Sequence, residues 1–140
     1  MPAKLPTPLC RKLEKAARIA AKASYSPYSK FRVGAAILCG SGKIYTGTNV
    51  ENASYGLCNC AERTAIFSAV AAGEHSVKAV AVYTPTKLAH APCGSCRQVI
   101  NEFGADAVVI GVCDSADRHE TTLDRLLPDA FSLRTLKSRR

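Results

Sequence analysis

The sequence predicts an α/β domain in which helices cover a mixed sheet, and three observations carry that reading. A helical stretch, an apolar strand, a second helix and a second apolar strand follow one another between residues 60 and 113. Such alternation calls for right-handed crossovers and parallel pairing. Ahead of them, two strand-like runs flank Gly40-Ser41-Gly42, as in a hairpin. The opening helical stretch is amphipathic, with small apolar residues at helical spacing and Lys and Arg between them. The chain has 140 residues, enough for one domain with a real core, and no repeat, linker or low-complexity block divides residues 1–140.

Thr7-Pro8 reads as a helix start, a capping hydroxyl followed by proline at the first helical position. Leu9, Leu13, Ala16, Ala17, Ala20 and Ala23 then form the apolar stripe. The polar run Ser24 to Lys30 is a turn segment. Phe31 to Leu38 and Lys43 to Thr48 are the hairpin strands, and Asn49 to Asn52 form a polar loop at the strand end, where binding groups commonly sit. Cys60 to Ala72 is alanine-rich and helical, stopped by Gly73. Val77 to Tyr83 is a nearly continuous apolar run, suited to a strand buried on both faces. After a loop, Gly94 to Phe103 is a helix ended by Gly104, and Ala107 to Cys113 is another buried strand. A short strand near Thr121 and a leucine-rich turn through Leu127 follow.

Composition excludes several classes. With 47% hydrophobic and 21% charged residues the chain is neither disordered nor membrane-embedded, and no run of about 18 apolar residues predicts a membrane span. The opening Met1 to Leu9 lacks the apolar core of a secretory signal, so an intracellular, cytoplasmic protein is expected. Its seven cysteines are then reduced thiols or metal ligands, not a disulfide scaffold. Ten of the 19 basic residues lie in the two ends, among them Lys4, Arg11, Arg134, Lys137, Arg139 and Arg140. No aromatics interleave with them to stack bases, so they read as a solvated helix face and tail, and nucleic acid is not the expected partner.

The chemistry-bearing residues are Cys60-Ala61-Glu62-Arg63 and Pro92-Cys93-Gly94-Ser95-Cys96, each at a helix start. The C-x-x-C spacing lets Cys93 and Cys96 reach one ion from one helical turn, and Cys60 supplies a third thiolate. Zinc prefers four tetrahedral ligands, and a catalytic zinc keeps the fourth place open. Glu62, two residues after Cys60, is placed to move protons beside the ion without binding it. Helix N-termini stabilise thiolates. Three thiolates still exceed the charge of Zn²⁺ by one, and Arg63 is the natural cation to offset it. C-x-x-C alone also fits a structural zinc half-site or a dithiol redox pair, and Cys58 competes with Cys60 as a ligand. Neither a redox pair nor a scaffold needs Cys60 and Glu62 together.

Taken with YSPYSKFRVGAA at residues 25–36, TGTNVENASYG at 46–56 and LLPDAF at 126–131, these motifs resemble the small cytidine deaminases of pyrimidine salvage over nearly the whole chain. The resemblance implies a three-layer α/β/α fold with a mixed sheet of about five strands and helices on both faces. It implies hydrolysis of cytidine or 2′-deoxycytidine to the uridine and ammonia, with one Zn²⁺ per subunit held by Cys60, Cys93 and Cys96. Glu62 would be the proton carrier. Asn49 and Glu51 would contact the ribose hydroxyls, Phe31 would pack beside the nucleoside, and Ala61 would offer backbone contacts to the base. It further implies a homotetramer whose active sites are shared between subunits, with Phe131, and Tyr55 likewise, reaching a neighbour's site. Rival readings are a deaminase of blasticidin S or of polynucleotide cytosines, a zinc-stabilised scaffold or nucleic-acid module without catalysis, and a dithiol oxidoreductase. Polynucleotide deaminases usually carry His where this chain has Cys60.

Overall fold

The computed structural model describes residues 4–137, the side chains of Arg134 and Thr135 excepted. Arg139 and Arg140 of the basic tail, the side chain of Arg134, and the first three residues of the opening stretch lie outside the described residues. The chain runs α1 (Thr7–Ala21), β1 (Gly34–Cys39), β2 (Ile44–Thr48), α2 (Ala61–Ala71), β3 (Val77–Tyr83), α3 (Gly94–Phe103), β4 (Val108–Val112), β5 (Arg118–Thr122), α4 (Leu123–Leu126) and α5 (Leu133–Lys137). The five strands form one sheet in the order β2-β1-β3-β4-β5. Only β3 and β4 are parallel, and α3 is the crossover between them; the other neighbours are antiparallel.

Because successive strand residues face opposite ways, β1 feeds two cores. Ala36 and Leu38 meet Leu13 and Ala17 of α1, with Ala79, Ala81 and Ile110. Ala35 and Ile37 meet Ala61, Ala65 and Ile66 of α2, with Val80, Val109, Ile100 of α3 and Leu123 of α4. One face of the sheet is thus covered by α1 and the other by α2 and α3, the expected three layers. Leu13, Ile66 and Ile100 are fully buried, and truncating any one of them to Ala costs about 2–5 kcal/mol.

Small residues set how closely the helices approach. A Cβ added at Gly47 of β2 would fall on the backbone nitrogen of Ala65 and the carbonyl oxygen of Ala61, both in α2. Main chain cannot step aside as a flexible side chain can. Gly47→Ala is therefore expected to lower stability by about 1–3 kcal/mol or more, the cost of overpacking, read as a fall in the denaturant midpoint.

Strand β2, helix α2 and strand β4 are each shorter by one or two residues than the sequence reading, and two boundaries differ for a visible reason. Pro6, not Thr7, is the N-cap of α1, and Thr7 is already helical and makes no side-chain cap bond. Pro8 then sits in the first turn, where a missing N–H costs nothing. The buried stripe is Cys10, Leu13, Ala17 and Ala21, and Ala23 lies beyond the helix. Strand β1 begins at Gly34 instead of Phe31. The side chain of Asn49 holds the preceding stretch: its Nδ2 donates to the Phe31 carbonyl at 2.7 Å and its Oδ1 accepts from the Val33 N–H at 2.9 Å.

Candidate metal centre and active site

Helices α2 and α3 lie side by side on one face of the sheet. Cys60 is the N-cap of α2 and Cys93 the N-cap of α3, both with extended backbone, and neither side chain caps its helix. The thiols are free to turn toward one another, and Cys96 joins them from the first turn of α3. The sulfurs of Cys60, Cys93 and Cys96 all lie within 4.8 Å of one another, with Cys60 and Cys93 at 3.9 Å. Zn–S bonds of about 2.3 Å in a tetrahedron require sulfurs about 3.8 Å apart. The cluster fits zinc in donor chemistry and in size, and thiolates favour zinc over magnesium. Among the described residues no fourth His, Cys or carboxylate joins it.

Cys58 is turned elsewhere. Its sulfur accepts from the Asn52 N–H at 3.4 Å and faces the Asn52 carbonyl at 3.8 Å. Cys58→Ser is expected to keep the zinc content of the parent protein and Cys60→Ser to lose it, as counted by metal analysis of the purified variants.

The cluster is electrostatically biased toward a cation. The hydrogen bond from Cys96 and the guanidinium of Arg63 together pull the Cys60 thiol down to about 5, against the opposing effect of burial. The same bond, burial and the neighbouring Glu62 push Cys96 up, so the proton of the pair stays on Cys96 until a metal displaces it. Arg63 donates from Nη2 to the Cys60 sulfur at 3.3 Å. Its Nε is buried without a partner among the described residues. The guanidinium is thus committed to the thiolates, where it offsets their surplus charge.

Glu62 occupies the first turn of α2 and is 4% exposed. Burial raises its pKa, and the negative Cys60 adds to the effect. Such a carboxyl holds a proton at a pH where a surface glutamate has lost it. Ala61 beside it is fully buried.

Of the remaining predicted residues, Asn49, Glu51 and Tyr55 lie in the strand-end loop, the Phe31 backbone is bonded to it, and Phe131 lies against α3. Val50 and Asn59 exchange two backbone hydrogen bonds of 2.9 Å, which close the loop 51–58 immediately before Cys60. Glu51 accepts at Oε1 from the Tyr28 and Ser29 N–H groups at 3.0 and 3.1 Å and at Oε2 from the Ser29 hydroxyl. Asn49 Oδ1 also accepts from the Ser24 hydroxyl. Glu51, Tyr55 and Cys58 line a cleft of about 320 Å³ with Tyr28 and Ser29. Tyr55 stands edge-on to Tyr28 with ring centres 5.7 Å apart. Phe31 is exposed, and so is Phe131, whose carbonyl accepts from Gln98 Nε2 of α3 at 2.8 Å; neither lines this cleft. Sequence reasoning missed Ser24, Tyr28 and Ser29 as the groups that orient Asn49 and Glu51. The polar run at residues 24–30 was their one visible signal. A larger concavity of about 640 Å³ lies between α1 and β5, but the carboxylates lining it, Glu14 and Glu120, are both paired with Arg118.

Fold and cluster together define a class: an α/β protein with a three-thiol zinc centre at two helix N-termini and a buried acid alongside. The family described as the cytidine and deoxycytidylate deaminase zinc-binding region matches residues 9–112. The chain is 51% identical over 110 residues to a cytidine deaminase of Sporosarcina psychrophila, covering 78% of this chain and 81% of that one. It is 49% identical over 114 residues to a cytidine deaminase of Halalkalibacterium halodurans, covering 81% and 86% respectively. The crystal structure of cytidine deaminase from Burkholderia pseudomallei superposes with a TM-score of 0.83 at 50% identity, over 86% of this chain and 98% of that one. The chain belongs to the cytidine deaminase family.

Proposed function

We propose that this protein hydrolyses cytidine and 2′-deoxycytidine to the uridines and ammonia in pyrimidine salvage, as a single-domain cytoplasmic enzyme. The observation that carries the reading is the buried Glu62 carboxyl in the turn that follows Cys60. A scaffold has no use for a desolvated acid beside three thiols, and among the described residues no helix is long and apolar enough to cross a membrane.

Cys60, Cys93 and Cys96 hold the zinc, which when bound supplies a Lewis acid that makes water a competent nucleophile near neutral pH. Net reaction forms a C4–O bond and breaks the C4–N bond of the base. Glu62 takes a proton from the attacking water and delivers it to N3, then carries the second proton to the departing amine. Its raised pKa suits a group that must both accept and release. Arg63 keeps the thiolates from making the centre too anionic.

Sugar recognition falls to groups with capacity to spare. Asn49 Nδ2 has two N–H bonds and gives one to Phe31, leaving one for a ribose hydroxyl. The Glu51 carboxylate accepts three bonds of about four it can take. Phe31 packs beside the nucleoside and Ala61 offers its backbone to the base. Phe131 at 59% and Tyr55 at 71% exposure are large rings without cover in one chain, which supports a homotetramer in which they reach a neighbour's site.

One sample tests the reading: metal analysis of the purified protein with ultraviolet detection of cytidine loss, and sedimentation for the assembly. Zinc near one per chain, loss of cytidine and a tetramer are expected. A zinc-loaded protein that spares cytidine and deaminates single-stranded DNA would overturn it, and a fully active monomer would remove the shared site.

A further inference from the structure

Three consecutive residues at the start of α3 point at three different things. Cys96 joins the thiol cluster. Arg97 donates from Nε to the Pro92 carbonyl at 2.8 Å and from Nη1 to the Leu126 carbonyl at 3.0 Å. Gln98 donates from Nε2 to the Phe131 carbonyl at 2.8 Å. The segment between these last two anchors, residues 127–130, turns through Asp129 in the left-handed region with φ 53°. Segment 126–131 is therefore pinned at both ends to the helix turn that carries a metal ligand. The backbone at Phe131 is fixed while its ring stands 59% exposed. A residue held solely for local packing would show the reverse, a covered ring on an untethered backbone.

We propose that Gln98 is a positioning residue for substrate binding: its amide N–H fixes the Phe131 backbone against the metal-bearing turn and so sets where that ring can reach. Arg97 anchors the upstream end of the same segment and ties it to Pro92, the residue before Cys93. Gln98 itself touches neither the thiols nor the cleft, so its effect passes through Phe131. The inference rests on the reading of Phe131 as an aromatic contact to the base.

The test is a double-mutant cycle on the zinc-loaded protein with cytidine as substrate. Gln98→Met keeps the length of the side chain and removes the donor. Alone, it is expected to raise KM about 3- to 10-fold, the scale of one lost hydrogen bond, with kcat changed less than about twofold and zinc content unchanged. Phe131→Ala is expected to raise KM by at least as much. In the Phe131→Ala background, Gln98→Met is expected to have no further effect on KM, because the group it positions is gone. Independent, multiplying effects would overturn the proposal. So would loss of zinc in Gln98→Met, which would show that the helix turn itself had loosened. If Phe131→Ala raises KM and Gln98→Met does not, the positioning role fails and the ring contact stands. If Phe131→Ala is silent, both fall.

Discussion

Glu62→Gln is expected to lower kcat at least about 10²-fold, the lower end for a lost general acid–base group, while the protein stays folded and keeps its zinc. The neutral amide is nearly the same shape and sits in the same turn of α2. It cannot take a proton from water and hand it on. Zinc retention is expected because the cluster is built from Cys60, Cys93 and Cys96 alone. Thermal stability is expected to hold or rise, since burial disfavours the charged form of this carboxyl and the amide has no charge to desolvate. The measurements are steady-state kinetics on cytidine, metal analysis and a melting curve on one preparation. Undiminished turnover would show that Glu62 is not the proton carrier.

Cys96→Ser is expected to abolish both zinc binding and activity, the larger effect of the two. Cys96 is fully buried, with its sulfur within 4.8 Å of those of Cys60 and Cys93. A serine there offers a hard, poorly ionised oxygen with a shorter reach, and the remaining pair of thiols is no longer an enclosing set. Metal bound to the native state adds to its stability by mass action. A chelator should therefore lower the melting temperature of the parent protein and leave that of Cys96→Ser unmoved. A variant that kept zinc at parent levels would mean that another ligand completes the site.

How far the sequence alone could be read depended on whether neighbours or distant groups decide a residue's conformation. Strand β3 and helix α3 fall where a nearly continuous apolar run and a terminal Gly104 place them, because burial and a helix stop are local signals. The start of β1 does not. Phe31 and Val33 look like strand residues, but the amide of Asn49 holds their backbone in a loop, and no periodicity reveals a bond across 18 positions. At α1, the Thr7 hydroxyl reads as the cap, but the backbone puts Pro6 at that position and Thr7 already inside the helix. The thiol trio was legible because its spacing is dictated by one ion and two helix starts. The tethering of Glu51 by Tyr28 and Ser29, and of Phe131 by Gln98, was not. Those bonds join segments whose side chains have many other possible partners.

The two-bond bridge between Val50 and Asn59 has a practical corollary. It closes off the loop between β2 and α2 just ahead of Cys60, so that loop is expected to behave as an exchangeable cassette. Lengthening a flexible loop costs only about 0.6 kcal/mol per doubling. Libraries that extend residues 52–57 while keeping Tyr55 should therefore yield folded, zinc-loaded proteins, whereas the same insertions one residue past the bridge should not.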